Sequence, residues 1–404
     1  MKIKVWKLLS LIFILIFALS AVSMVHAAIT QLPIPPAITA GTSGTSFTAW
    51  VAYDSGKGEI FVTSGDNNIY VISDSSNTVV ATIPVGNDPV GIAYDAGKGE
   101  IFVANAEDDT VSVISDSSNT VVATIPVGTG PQGIAYDAGK GEIFVGNANY
   151  DNSVSSTVDT VSVISDSTNA VVATINVGGG PLDLAYDSGK GEIFVSNELS
   201  SSISVISDST NAVVATVNGV SAPEGLAYDS AKNDLFVANY DAANVCVISD
   251  KTNALVATVQ LGSGYTGDPT GTVYDPAKGE IFETSGAGAS VFVISDSNNA
   301  VTATAPLVQL PNDNAPYPMG LAYDSAKGEI FVARGDNAVS VIPDSSSSST
   351  SSTPTPTSSP SATSTASSSP TPKVPEFSNA ALVTVAAAMV VVTLSAVAIR
   401  RKKA

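Results

Sequence analysis

Gly91-Ile-Ala-Tyr-Asp95, Glu100-Ile-Phe-Val-Ala-Asn105, Thr110-Val-Ser-Val-Ile-Ser-Asp116 and Thr120-Val-Val-Ala-Thr-Ile-Pro-Val-Gly128 are four short runs rich in Val, Ile, Phe, Tyr and Thr, parted by Gly, Asn and Asp. Such runs read as consecutive antiparallel strands. The unit recurs seven times, with its tyrosine at 53, 94, 136, 186, 228, 274 and 323, so successive copies lie 41, 42, 50, 42, 46 and 49 residues apart. A period of roughly 40–45 residues carrying four apolar runs is one propeller blade, whereas a helical repeat of that length would space its apolar residues by 3.6. The expected fold is all-β: a seven-bladed β-propeller of four-stranded antiparallel blades spanning residues 28–343.

The turns support this reading. Between the first two runs stands Asp-x-x-Lys-Gly, with Gly58, Gly99, Gly141, Gly191, Gly279 and Gly328, and Asn233 in the fifth copy. Asn is the residue that, after Gly, best tolerates a left-handed backbone, so the position is expected to have positive φ in a tight hairpin. The hairpin between the third and fourth runs, Asp-x-x-Asn, places Asn77, Asn119, Asn169, Asn211, Asn253 and Asn299 likewise. Its aspartate is expected to cap the turn through an Asx hydrogen bond, which explains the residue without an ion. The seventh copy ends at Val341-Ile342-Pro343-Asp344 and lacks the fourth strand. Ile29-Thr-Gln-Leu-Pro-Ile34 resembles Ala123-Thr-Ile-Pro-Val127 and is expected to supply it from the N-terminus, closing the ring and removing its exposed edges.

The two ends of the chain point outward from a cell. Residues 1–27 carry Lys2, Lys4 and Lys7, an apolar run from Leu8 to Val22, and Val25-His26-Ala27, the pattern of a secretion signal. Residues 344–373 are almost only Ser, Thr and Pro and read as a disordered stalk, whose hydroxyls are candidates for O-linked sugars. After the segment 374–379, residues 380–399 carry no charge, and Arg400, Arg401, Lys402 and Lys403 follow in the tail 400–404. This is the pattern of a transmembrane helix with a basic cytoplasmic flank, so the propeller is expected outside, anchored at the cell surface.

Composition narrows the partners. Residues 28–377 hold 10 basic against 37 acidic side chains, a net of −27, which excludes nucleic acid and anionic lipid as ligands of the outward domain. No Asn-x-Ser/Thr sequence is present, so N-linked sugars are not expected. The single Cys246 replaces Ser112, Ser162 and Ser204 of other copies and reads as a strand residue.

The combination Ile-Phe-Val-Ala-Asn, Thr-Val-Ser-Val-Ile, Asn-Thr-Val-Val-Ala-Thr-Ile-Pro-Val-Gly and Pro-x-Gly-Ile-Ala-Tyr-Asp resembles the YVTN-type β-propeller repeat of archaeal surface-layer and bacterial secreted proteins, over about residues 29–343. Phe takes the place of the first Tyr of the family tetrapeptide, as in Phe102-Val-Ala-Asn105 and Phe194-Val-Ser-Asn197. Pro375-Glu376-Phe377 is similar to the PEF-type sorting signals read by archaeosortases, which implies that the span could be cut and replaced by a lipid.

Comparison of the copies locates the tolerant surface. The two hairpins are nearly constant, whereas the loops between second and third strands and those crossing to the next blade vary, and both sets are expected on one face. Loops on a rigid scaffold are where binding residues reside. The candidates are Asp66, Glu107, Asp108, Asp109, Tyr150, Asp151, Tyr240, Asp241, Tyr265, Asp268 and Tyr317. The tyrosines suit stacking on a sugar or filling a partner's pocket. Asp151, Asp241 and Asp268 offer oxygen ligands to a hard cation, calcium being the candidate; no other cofactor is expected.

The rival reading is a propeller enzyme such as a lactonase, because propellers of related kind place sites at the channel mouth. Catalysis there wants a base, a metal ligand or a positive group facing the substrate. The only histidine is His26 in the signal, Arg334 is the only arginine before the tail, and the residues aligned at the mouth are Ala49, Val90, Gln132, Leu182, Glu224, Thr270 and Met319. The expected function is therefore non-catalytic recognition or adhesion toward a protein, glycan or cation, with self-association in a surface layer as the alternative.

Overall fold

The computed structural model describes residues 30–31, 37–40, 48–148, 158–261, 268–308 and 317–344. The expected signal, sorting segment, membrane span, basic tail and all of the stalk beyond Asp344 lie outside these residues. Among the described residues no helix is long and apolar enough to cross a membrane.

Seven sheets form seven blades. Blade 1 runs Thr48–Asp54, Glu59–Ser64, Asn68–Ser73 and Thr78–Pro84 from channel to rim, in an antiparallel meander. The inner strands of blades 2 to 7 are Pro89–Asp95, Pro131–Asp137, Pro181–Asp187, Pro223–Asp229, Pro269–Asp275 and Pro318–Asp324. Each packs beside the next around the axis, and that of blade 7 returns to that of blade 1.

The N-terminal segment does complete blade 7, but through a later stretch than expected. Ala37–Thr39 pairs antiparallel with Ala338–Ser340, and the Ala40 N–H donates to the Asn337 carbonyl at 2.9 Å. Thr30–Gln31, in the stretch expected to close the ring, instead lies parallel to Ala303–Thr304 as a fifth strand on the rim of blade 6. The two alternatives differ in the length of the connection to blade 1. An outer strand ending at 39 leaves eight residues before Thr48, whereas one ending at 34 would leave 13, more than the 11 of the longest other crossing, between Pro306 and Pro318.

The core lies between blades. Each of seven apolar clusters joins two neighbours, as where Phe102, Val111, Val113 and Ile125 of blade 2 meet Ile134, Ile143, Val145 and Ile164 of blade 3. Phe61, Phe102, Phe144, Phe194, Phe236, Phe282 and Phe331 are all fully buried. Each contributes about 1.5–3 kcal/mol by leaving water, and a tyrosine hydroxyl at the same place would need a buried partner.

The constant hairpins lock one blade to the next. As expected, Gly99 and Asn119 have φ of 66° and 51°, and their counterparts around the ring are also left-handed. The first hairpin's aspartate makes the Asx turn: Asp95 Oδ1 accepts from the Gly97 and Lys98 N–H groups at 2.8 and 3.2 Å. Its partner on the next blade is a tyrosine, Tyr136, whose hydroxyl is driven to higher pKa by burial and by the hydrogen bond to Asp95. The second hairpin's aspartate differs from expectation. It reaches back to the lysine of the preceding blade, in the pairs Lys57–Asp116, Lys98–Asp166, Lys140–Asp208, Lys190–Asp250, Lys232–Asp296, Lys278–Asp344 and Lys327–Asp74. The belt is complete, and its last pair crosses the ring closure. Six of the seven lysines are about a third exposed and Lys278 about half that, so each of the six gains only about 0–1 kcal/mol and the belt sets blade order and spacing more than it adds stability.

Candidate functional site

The face opposite this belt carries the variable loops, which staple to one another. Asn67 Nδ2 donates to Asn87 Oδ1 at 2.8 Å, and Asp108 accepts from both the Asn87 backbone and side-chain amides at 2.8 Å. At the centre of this face the inner strands start with a bulge. In blade 2 pairing skips from Pro89 to Ile92, and the same interruption recurs in all seven blades. A bulge re-aims side chains at the end of a strand. Here it turns the second residue of the inner strand, which follows a proline in blades 2 to 7 and Thr48 in blade 1, into the channel.

The glycine that follows permits close approach. A Cβ on Gly91 would stand 2.0 Å from the Gln132 carbonyl of the next blade. Two blades break the pattern, with Trp50 and Asp183 where the others have glycine. Both receive a hydroxyl from the second strand: the Trp50 N–H donates to Thr63 Oγ1 and the Asp183 N–H to Ser196 Oγ, each at 2.9 Å.

A cavity of about 400 Å³ opens at this mouth. All seven aligned residues, Ala49, Val90, Gln132, Leu182, Glu224, Thr270 and Met319, line it, joined by Trp50, Glu198, Tyr240 and Tyr317. Tyr240 is set by the 3-10 turn Tyr240–Ala242, which Ala243 closes at φ 51° with its N–H on the Tyr240 carbonyl. Tyr317 and Tyr240 share a hydrogen bond, and burial with that bond raises the Tyr317 hydroxyl. Glu224 is pushed up to about 8, first by burial and then by the negative fields of Glu198, Asp268 and Asp241.

Two further carboxyls lie in the adjoining wall. Asp183 accepts the Leu184 and Leu226 N–H groups at 2.8 Å; burial still outweighs these bonds and raises it to about 7. Glu283 is fully buried and accepts the Thr272 hydroxyl at 2.7 Å, while its Oε1 has no hydrogen-bond partner among the described residues. Burial, with a smaller contribution from Glu224, raises it well above the usual carboxylate range.

The predicted residues separate into groups. Tyr240 and Tyr317 line the cavity, and Asp241 and Asp268 act on Glu224 from its surroundings. Asp66 accepts the Tyr70 hydroxyl at 2.7 Å, Asp109 accepts the Gly130 N–H at 2.9 Å, and Asp108 holds Asn87, so these three brace loops; Glu107 is exposed beside them. Tyr150, Asp151 and Tyr265 lie outside the described residues. Trp50 and Glu198 were not singled out. Their signal was a break in the repeat: Trp50 stands for glycine, and Glu198 for the alanine of Ala106 and Ala148.

Among the described residues no three acidic, histidine or cysteine side chains converge as metal ligands. Arg334 is fully buried, with Nε on Asp336 Oδ1 at 2.8 Å and Nη1 on Ser340 Oγ at 2.9 Å, and is committed to blade 7. Cys246 is a buried strand residue whose thiol burial pushes up.

No protein-family model and no curated protein matches the chain. Among solved structures it is similar to Kuenenia stuttgartiensis hydrazine synthase, with a TM-score of 0.64 and 16% identity over 78% of this chain and 97% of that one. At that identity the likeness establishes a shared β-propeller fold.

Proposed function

We propose that the chain is a cell-surface recognition propeller, related to the YVTN-type repeat proteins, that binds its partner through the variable-loop face and catalyses no reaction. One observation carries the reading. The central cavity is walled by Trp50, Tyr240 and Tyr317 together with Ala49, Val90, Leu182 and Met319, the aromatic and apolar lining of a binding pocket. The signal-like residues 1–27, the Ser/Thr/Pro stretch and the uncharged run 380–399 with its basic flank support display outside the membrane. A lateral surface-layer role would use the rim instead, where Val80, Val122, Val172, Val214 and Val256 of the outer strands are each more than half exposed.

The test is binding of the full chain to a glycan array and to purified envelope proteins, with Tyr240→Ala and Tyr317→Ala compared against Lys98→Ala on the opposite face. The mouth variants are expected to lose binding about tenfold or more, as aromatic anchors do, with Lys98→Ala unchanged. Equal binding by all three variants, or turnover of a lactone panel above background, overturns the proposal. A regular lattice of the purified protein by electron microscopy, with mouth variants assembling normally, would establish the surface-layer role in its place.

A further inference from the structure

We infer that the mouth pocket is a site for an organic cation, an ammonium or guanidinium head on a short apolar stem, with Glu224 and Glu198 as counter-charges and Trp50, Tyr240 and Tyr317 as aromatic walls. It rests on the reading of the variable face as the recognition surface and names the chemistry that surface selects.

Charge and shape argue it together. Glu224 and Glu198 both line the cavity, and Glu224 also feels Asp241 and Asp268. No lysine, arginine or histidine lines the cavity among the described residues. Behind Glu224 stands a further acidic group, the buried Glu283, whose Oε1 has no hydrogen-bond partner among the described residues. An anion or a phosphate is repelled by this field. A hard divalent ion is poorly served, because calcium takes 6–8 oxygen ligands and among the described residues no three acidic side chains converge. An organic cation is served twice: its head pairs with carboxylate and lies against the indole and phenol faces, while its stem meets the apolar wall. A volume of about 400 Å³ admits such a head with several carbons.

Protonation gives the site a signature. With Glu224 near 8, most of its carboxyl is protonated at neutral pH, and a bound cation favours the ionised form, so binding releases a proton. The groups facing Glu224 are Glu198, Asp241, Asp268 and Glu283, all acidic, with Tyr240 and Tyr317 beside the cavity.

The experiment uses the one tryptophan of the propeller as reporter. The full chain carrying Trp6→Phe is titrated with n-hexylammonium, with n-hexanol and hexanoate as neutral and anionic matches and calcium chloride as the inorganic ion, and Trp50 fluorescence is followed. Saturable change with hexylammonium alone is expected, tightening about tenfold from about pH 6.5 to about pH 9 as Glu224 ionises. Glu224→Gln should weaken it about tenfold and flatten the pH profile, with Glu198→Gln as the second variant should the first misfold. Equal response to hexanol, response to calcium alone, or no response to any probe overturns the cation assignment. In those cases loss of array binding in Tyr240→Ala and Tyr317→Ala would still uphold recognition at the mouth. Saturable hexylammonium binding with array binding unaffected by those variants would uphold the cation site and sink the recognition reading.

Discussion

Gly99 sits at φ 66°, and a Cβ built on it would come within 2.6 Å of Asp116 Oδ2, the carboxylate that pairs with Lys57 of the preceding blade. Two constraints meet there, a left-handed backbone and a carboxylate packed on the hairpin. Blade 5 shows how a side chain is accommodated: Asn233 holds φ at 60°, and Asp250 accepts the Tyr228 hydroxyl at 2.9 Å, an arrangement in which the carboxyl is held below its usual range despite burial by Lys190 and Tyr228. Gly99→Ala should therefore cost about 1–3 kcal/mol, and Gly99→Asn less, because Asn adopts αL more readily. Thermal melts of the two variants check this; an alanine variant melting with the parent would remove the constraint. The left-handed turn itself was legible from the Gly-to-Asn exchange between copies. The packed carboxylate was not, since Asp116 belongs to another hairpin.

At the scale of the blade, the second and inner strands of blade 6 depart from their siblings. Glu283 stands where the others have Val62, Val103, Val145, Val195, Val237 and Val332, and Thr272 where they have Val51, Ile92, Ile134, Leu184, Leu226 and Leu321. The cluster between blades 5 and 6 accordingly lacks the two apolar residues that every other interface draws from these positions. The folded state raises the Glu283 carboxyl, so its favourable contribution is complete below the unfolded value of about 4.3 and is lost as pH rises through the folded one. Asp183, raised to about 7, and Glu224, raised to about 8, have the same sign. The parent should thus weaken between about pH 5 and about pH 8, and Thr272→Leu with Glu283→Val should be more stable by about 1–4 kcal/mol, with the larger gain at alkaline pH. Urea unfolding at the two pH values measures it; a double variant less stable than the parent at the higher pH sinks the argument. Position in the repeat made this substitution pair visible in the sequence. Which apolar cluster it depletes became readable only once blade 6 faced blade 5.

The strand pairing that closes the ring is short, Ala37–Thr39 against Ala338–Ser340. Removing residues 28–36 should take away only the added strand on the rim of blade 6. Removing residues 28–40 should expose the third strand of blade 7 and open the ring, lowering the melting temperature by about 2–4 °C for each kcal/mol of closure lost. Calorimetry of both deletions separates them, and an unchanged melt in the longer one would show that closure lies elsewhere. By itself the sequence determined what neighbours along the chain determine: a blade-length period, consecutive antiparallel strands, left-handed hairpins and a phenylalanine in the second strand of every copy. These follow from local sterics and from apolar burial repeated along the chain. The tertiary structure decided which N-terminal stretch closes blade 7, which aspartate each lysine meets and that Trp50, Glu198, Tyr240 and Tyr317 join the seven aligned mouth residues in one cavity. Those choices are set by the meeting of segments far apart in sequence, and no local pattern encodes them.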